Sequence, residues 1–190
     1  MTMFATSSLT GVPRNTMRSL RSREKMSQPR SPRWVCSMTV GMMTDPQVKA
    51  AGVISVASNV APKATTEMVN LLLAGRTDEA RTLAAKLEPL FKLVTVKTTE
   101  KTPYGEVICR ARNPLAYKTL MAILGMPSGG CKPPLGKMTQ NGLNKVLEAA
   151  RTMQRTAPEI LKPIADFFGV NIEDRLANPK YCEGLCYAEY

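Results

Sequence analysis

One short uncharged run, Gly52-Val53-Ile54-Ser55-Val56-Ala57, constrains the fold of this chain more than any other feature. Its β-branched residues and lack of charge are typical of a strand that is covered on both faces, as in a parallel sheet. Such a strand needs neighbouring strands, yet the sequence that follows has mainly the period of helices. We therefore expect either that its neighbours come from elsewhere or that it lies unpaired.

Five helices are predicted beyond that run. The first covers residues 63–74, and Gly75 can take the left-handed conformation that ends a helix. Thr77 is the predicted N-cap of the second, which carries the clearest apolar stripe of the sequence up to Phe91. The other three are predicted to begin at Asn113-Pro114, Thr139 and Pro158. Between the second and third, residues 95–112 look like a polar excursion with a turn at Pro103-Tyr104-Gly105.

Residues 1–44 differ from the rest in composition and charge. They contain seven Lys or Arg residues and one acidic residue, which gives +6 of the net +11, and they show no sustained apolar period. Such a segment cannot bury enough apolar surface to offset the entropy of ordering it. Two interpretations are open: an organellar transit peptide, or a truncated or misread start that does not belong to the fold.

The positive charge does not indicate a nucleic-acid partner. Beyond residue 44 the net charge is only +5, and basic residues do not alternate with aromatic ones as they do in proteins that stack bases. No apolar stretch approaches the roughly 20 residues that span a bilayer, and no apolar secretory core follows the N-terminus. We expect no nucleic-acid or membrane partner, and a cytoplasmic location, or a plastid one in a eukaryote.

The composition excludes several kinds of active site. The sequence has no histidine, so it cannot form a His-ligated zinc site or a Ser-His-Asp or Cys-His nucleophile system. Three of its five cysteines are scattered, and Cys182 and Cys186 together supply two metal ligands at most. We therefore expect no metal and no cofactor.

Three further features could carry chemistry, but each has a simpler interpretation. Lys63 follows the strand, where α/β barrels hold catalytic groups, although its place at a helix start favours exposure. Tyr104 and Tyr117 could donate protons, yet neither has an evident partner and packing explains them better. Gly129-Gly130 with Lys132 lacks the spacing of a P-loop, and the two prolines that follow remove amide donors.

Several segments match a known family in order and in helix spacing. The most specific runs from Gly52 through Pro62. The others are Ala74-Gly75 with Asp78-Glu79-Ala80-Arg81, Leu87-Glu88-Pro89-Leu90-Phe91, Asn113-Pro114-Leu115-Ala116-Tyr117-Lys118, Leu124-Gly125 and Pro134-Leu135. Together they resemble the C-terminal part of the dihydrodipicolinate synthases, Schiff-base aldolases that are related to N-acetylneuraminate lyase.

That resemblance implies a fold and a chemistry. The family has a (β/α)8 barrel with an appended C-terminal helical domain and is usually a homotetramer. It condenses pyruvate with aspartate semialdehyde in lysine biosynthesis, through a Schiff base between a barrel lysine and pyruvate. By this resemblance residues 52–57 are the last barrel strand, and Ile54 matches the position whose backbone touches bound pyruvate.

Much of the family pattern is missing from this sequence. A (β/α)8 barrel takes roughly 250 residues, and about 50 precede Gly52. We find no Gly-Thr-Thr-Gly-Glu loop, no Tyr-Asn-x-Pro segment and no Lys-Glu-x-(Thr/Ser)-Gly strand end, and residues 35–41 stand where the family has Ser-Gly-Asp-Asp. We therefore predict no catalytic residue, and Ile54 as the single substrate-binding residue.

The predicted organisation has four segments. Residues 1–44 are disordered or non-native, 45–94 hold the last barrel strand and the closing helices, 95–168 form a C-terminal helical domain, and 169–190 form a tail. The first hypothesis is a mostly helical C-terminal fragment of a synthase, a lyase that is inactive alone. The alternatives are a non-catalytic helical module that assembles with a full-length synthase, and another aldolase of the family with a different aldehyde.

Overall fold

The computed structural model describes residues 33–35, 40–48 and 50–188. Within these ranges the chain forms seven α-helices and four strands, so it is mostly helical as predicted. The prediction of a disordered or non-native segment over residues 1–44 falls largely outside the described residues. The exceptions are strand β1, Arg33–Val35, and helix α1, Val40–Thr44, which are both regular elements.

The first sheet is a parallel pair. Strand β1 pairs with β2, Ala50–Val53, and Val35 lies opposite Val53. The strand was predicted over residues 52–57, but it runs from Ala50 to Val53. It ends there because the Ser55 side chain caps a 3₁₀ turn at Val56–Asn59. The chain itself supplies one neighbour for this strand, which corrects the expectation that it lies unpaired or finds its neighbours elsewhere. A three-residue strand is too short to show a sequence period, so β1 was not predictable from patterning.

The next two helices agree closely with the prediction. Helix α2 spans Pro62–Leu73, and Gly75 has φ 75°. Helix α3 spans Thr77–Phe91 with Asp78 and Glu79 in its first turn, but Arg76 occupies the N-cap position and no side chain caps the helix. The predicted Thr77 cap is therefore wrong. The carboxylates next to the positive end of the helix dipole favour this start instead.

A β-hairpin begins the segment that was predicted to be a helical domain. Strands β3, Thr95–Thr102, and β4, Gly105–Arg112, pair in antiparallel fashion around a two-residue turn. Alternate β3 residues, among them Val96 and Glu100, are buried against the rest of the fold. The helical expectation is corrected for this part, because β-branched residues at alternating positions favour a half-buried strand.

Four more helices complete the fold. They are α4, Leu115–Ile123, α5, Gln140–Thr156, α6, Pro158–Phe168, and α7, Ile172–Ala177. Helix α5 is central, since it packs against α3, α4, α6, α7 and β3. Its start confirms the prediction, because Thr139 Oγ1 accepts a hydrogen bond from the Gly142 amide at 3.0 Å.

The core lies around α5. Its side chains include Leu87, Leu90, Leu120, Val146 and Met153, which are all fully buried. The predicted tail adds to this core through Ile172 and Leu176 of α7, whereas Phe167, near the end of α6, is 81% exposed. No helix in the described ranges combines the length and apolar character that crossing a bilayer requires.

Candidate functional site

The predicted substrate contact, Ile54, lies at the carboxyl end of a parallel strand. Strands β1 and β2 end side by side, since Val35 pairs with Val53, and Ile54 is the next residue along the chain. The ends of parallel strands at this edge are where α/β barrels place their active sites. The Ile54 side chain is 64% exposed, so this position can offer backbone and side chain to a ligand or to a further element.

A tight turn holds the backbone after Ile54. The Ala57 amide donates to Ser55 Oγ at 3.2 Å, and the Ser58 hydroxyl donates to the Ser55 carbonyl at 2.5 Å. The amides of Val60 and Ala61 both donate to the Ala57 carbonyl, at 3.0 and 2.9 Å. These bonds fix the path of the chain between β2 and α2.

Small buried residues anchor the same turn. Ala57, Val60 and Ala61 are each at most 2% exposed and belong to the main core. Burial of these residues ties the turn to the helical region, because moving it would expose apolar surface to water. The exposed Ile54 therefore sits on a rigid base rather than on a free loop.

The structure does not bring the other candidate groups together. Lys63 is exposed in the first turn of α2, and Tyr104 is 98% exposed in the hairpin turn. Near Gly129, a loop glycine with φ 60°, the Lys118 ammonium donates to the Gly130 carbonyl at 2.8 Å. No hydrogen bond or ion pair among the described residues joins Lys63, Tyr104 or Lys132 to the Ile54 turn.

Tyr117 has a structural contact rather than an exposed hydroxyl. The side chain is 2% exposed, and its hydroxyl donates to the Leu90 carbonyl at 2.8 Å. Burial raises the pKa of this phenol. A buried, hydrogen-bonded and less acidic phenol joins α4 to the end of α3 and is a poor proton donor to an outside substrate.

The two C-terminal cysteines are partly buried thiols. Cys186 Sγ lies 3.2 Å from Gln140 Oε1, and burial raises the pKa of Cys182. Cys36 lies outside the described residues. Among the residues that the structure does describe, no group of three or more Cys, Asp or Glu residues is arranged to hold a metal ion.

Sequence reasoning missed two arginines that hold backbone carbonyls. Arg175 donates to the Ile123 and Ala122 carbonyls at 2.6 and 3.1 Å, and Arg151 donates twice to the Leu176 carbonyl. Each guanidinium lies at the C-terminal end of a helix other than its own, where a cation is favoured by the helix dipole. No feature of the sequence identifies the partner of either arginine.

Comparison with known proteins assigns this chain to a family. A profile of the Dihydrodipicolinate synthetase family matches residues 14–153, which is about three quarters of the chain. The chain belongs to this family. The match confirms the resemblance seen in the sequence, and it begins well upstream of β2, inside the segment that was predicted to be disordered or non-native.

Curated relatives cover the same region at moderate identity. The 4-hydroxy-tetrahydrodipicolinate synthase of Methanococcus maripaludis strain C7 is 36% identical over 102 residues, which are 54% of this chain and 30% of the relative. The enzyme of the same name from Methanococcus vannielii is 38% identical over a region of the same extent. For Methanocaldococcus jannaschii the figures are 36% over 97 residues, 51% of this chain and 28% of the relative. The chain thus spans less than a third of the length of these relatives.

One solved structure is similar over the same share of the chain. It is titled "Crystal structure of Dihyrodipicolinate Synthase (dapA)", is 31% identical in sequence, and covers 55% of this chain and 31% of its own, with a TM-score of 0.46. Family membership implies a fold of the TIM-barrel type. The described residues form one parallel strand pair, a hairpin and a set of helices.

Proposed function

We propose that this chain contributes the closing strands and the appended helical domain of a dihydrodipicolinate synthase-type aldolase, and that the backbone at Ile54 forms one wall of its pyruvate site. The observation that carries the proposal is the position of Ile54 at the carboxyl end of a parallel strand, on a turn anchored by buried residues. It lies within the region that matches the family. In α/β barrels, groups at this edge contact the substrate.

The proposed reaction is the condensation of pyruvate with aspartate semialdehyde, in lysine biosynthesis. An uncharged lysine amine attacks the keto carbon of pyruvate, and loss of water gives an imine. Loss of a proton from the pyruvate methyl group gives an enamine, whose carbon attacks the aldehyde, and water then releases the product and restores the amine. The aldehyde partner is the least constrained part of the proposal, because the family loops that select it are missing from this sequence.

In this scheme the chain contributes one wall of the pyruvate site, but it does not supply the nucleophile. Lys63, the lysine nearest in sequence to the end of β2, is exposed in the first turn of α2. A lysine that forms an imine is activated by desolvation in an apolar pocket or by a neighbouring cation, and the exposed position of Lys63 does not provide the first of these. We propose that the reactive lysine and the proton-relaying tyrosine reside on barrel strands outside these 190 residues, in a homo-oligomeric assembly.

The experiment is borohydride trapping with the purified 190-residue chain. Reduction in the presence of pyruvate traps an imine as a stable secondary amine that mass spectrometry detects. We expect no trapped adduct and no pyruvate-dependent loss of aspartate semialdehyde, whereas the M. vannielii synthase serves as a positive control. A trapped adduct on any lysine of this chain would contradict the proposal.

A graft tests the role assigned to Ile54. Residues 50–62 of this chain replace the matching segment of the M. vannielii synthase, and the KM for pyruvate is measured. We expect a KM within a few fold of the parent, the same result for a graft with Ile54→Leu, and a large rise for Ile54→Pro, since proline removes the amide donor and restricts the backbone. If Ile54→Leu raises the KM as much as Ile54→Pro does, the contact belongs to the side chain instead.

The alternative of a non-catalytic module has one observation in its favour. The β1–β2 sheet has only two strands among the described residues, and two parallel strands with an exposed Ile54 leave room for strands from another polypeptide. Co-expression of the tagged chain with a full-length synthase distinguishes the two. Co-purification of an intact barrel subunit would favour the module, and its absence would favour the first proposal.

A further inference from the structure

The two edges of the β3–β4 hairpin are unlike each other. On the outer edge of β3, the carbonyls of Lys97 and Thr99 accept hydrogen bonds from α5 side chains, Lys145 Nζ at 2.6 Å and Asn141 Nδ2 at 3.3 Å. On the outer edge of β4, no other described residue donates to or accepts from the backbone. The edge of β3 is thus covered by a helix, and the edge of β4 is open.

The hairpin register identifies the groups on that open edge. The Asn113 amide donates to the Val94 carbonyl at 3.1 Å, which continues the ladder in which odd-numbered β4 residues bond to β3. Bonding direction alternates along an antiparallel strand, so the even-numbered residues point their N–H and C=O groups away from β3. The open edge therefore consists of the backbone of Glu106, Ile108, Arg110 and Arg112.

Two apolar side chains of this strand, Val107 and Ile108, are exposed. Ile108 is 68% exposed and Val107 is 47% exposed. Within the described ranges, neither Glu106 nor Arg110 takes part in an ion pair. An exposed strand edge with an apolar centre is a template for pairing with another strand.

The sequence of β4 is complementary to itself when reversed. If two copies of the strand pair in antiparallel fashion about Ile108, Glu106 of each copy lies directly opposite Arg110 of the other, and the two Ile108 side chains meet at the centre. The same alignment matches the outward backbone groups of both strands, because it pairs even-numbered residues with even-numbered residues. Opposite charges and apolar groups that face each other across strands stabilise a sheet.

We propose that β4 is a homodimerisation edge: two copies of this chain join β4 to β4, centred on Ile108, into one four-stranded antiparallel sheet. Registers shifted by two residues are less complementary. Centring on Cys109 sets Ile108 against Arg110, and centring on Val107 sets it against Glu106. The two-fold arrangement closes on itself, so it yields a dimer rather than a fibre. The interface does not involve Ile54 or the β1–β2 pair, and it is independent of the proposed function.

The first experiment is sedimentation equilibrium of the 190-residue chain over a wide concentration range. We expect a reversible monomer–dimer equilibrium, which Ile108→Pro abolishes. The Ile108 amide is not used inside the hairpin, and proline is tolerated at such an edge position. Thr99→Glu, which changes the charge of the directly opposite residue on β3, is the matched control and should still dimerise.

Circular dichroism shows whether the proline variant keeps its fold. A chain that remains monomeric at every concentration would overturn the proposal. A dimer that persists in a folded Ile108→Pro variant would also overturn it, because association would then use a different surface.

The second experiment reverses the charges. Glu106→Arg alone and Arg110→Glu alone each place like charges opposite each other twice, and each should weaken the dimer about tenfold or more. Mixing the two variants restores two ion pairs in a heterodimer, and the double variant E106R/R110E restores them in a homodimer. If neither mixing nor the double change restores dimerisation, the proposed pairing is wrong.

A disulfide test fixes the register. In the proposed alignment Val107 lies opposite Cys109 of the second copy, in a pair without backbone hydrogen bonds, where Cα atoms are about 4.5 Å apart and a disulfide can form. Val107→Cys, oxidised mildly with oxidised glutathione, should give a covalent dimer linked between positions 107 and 109 by peptide mapping. A Cys109–Cys109 link in the unsubstituted chain would overturn the register centred on Ile108.

Discussion

The helical region around α5 and the β1–β2 pair differ in how far their residues are buried. The helical region encloses its own core, with Leu87, Leu120 and Met153 fully buried. The strand pair has a register of only three residues, and the residue that follows β2, Ile54, is 64% exposed. A helix satisfies its backbone internally, whereas a strand depends on neighbours. The helical region is therefore stabilised by its own buried core, whereas the strand pair leaves the residue at its end exposed.

The largest expected effect tests this difference directly. Leu87→Ala removes a side chain that is 0% exposed, and we expect it to lower the free energy of unfolding by about 2–5 kcal/mol. Ile54→Ala is the matched control in the strand region and should change it by less than about 0.5 kcal/mol, since little buried surface is lost. Urea unfolding followed by circular dichroism measures both. Equal losses would show that the core extends to the end of β2.

Local interactions explain which parts of the fold could be predicted. The start of α5 at Thr139 and the end of α2 before Gly75 depend on capping and on backbone conformations within a few residues. The errors of one residue at Thr77 and at Asn113, where Pro114 occupies the N-cap position instead, concern the same local chemistry. Capping residues and glycines within a few residues of a helix end can be recognised in the sequence itself.

Non-local contacts explain what could not be predicted. Strand β1 needs β2, about 17 residues away in the register Arg33↔Ala50, and its three residues carry no period. The burial of Glu100 in β3, next to Asn141 of α5 at 2.7 Å, follows from a partner 41 residues away. For the candidate site, the sequence predicted Ile54 inside a strand over residues 52–57, whereas the structure ends that strand at Val53, directly before Ile54. The exposure of Ile54 depends on the packing of the whole region.

The second prediction concerns how the C-terminal end joins the helical region. Arg175→Met keeps the aliphatic stem but removes the bonds to the Ile123 and Ala122 carbonyls, and we expect a loss of about 1.5–3 kcal/mol in unfolding free energy. Arg175→Lys should recover only part of it, because an ammonium cannot reproduce the planar fork. Arg155→Met is the control, since its guanidinium makes a single hydrogen bond among the described residues, a 3.4 Å contact with Thr152. An unchanged urea midpoint for Arg175→Met would indicate that these bonds do not hold α7 to the helical region.

The smallest expected effect concerns the buried phenol that joins α4 to α3. Tyr117→Phe removes the bond to the Leu90 carbonyl and should lower the free energy of unfolding by about 1 kcal/mol at neutral pH. Tyr104→Phe, at a residue that is 98% exposed, should leave it unchanged. A loss equal in both variants would contradict the structural role of Tyr117.

The same pair of variants tests the pKa of Tyr117. Because burial raises the pKa of this phenol in the folded state, the unfolded chain releases the proton first, near pH 10. The stabilisation is therefore fully present below about pH 10 and is lost as the pH rises towards the folded pKa, by about 1.4 kcal/mol per pH unit. The advantage of the parent chain over Tyr117→Phe should shrink and then reverse between about pH 9 and pH 11. A pH-independent gap between the parent and Tyr117→Phe would show that the phenol titrates alike in both states, and that the contact between the two helices is open to water.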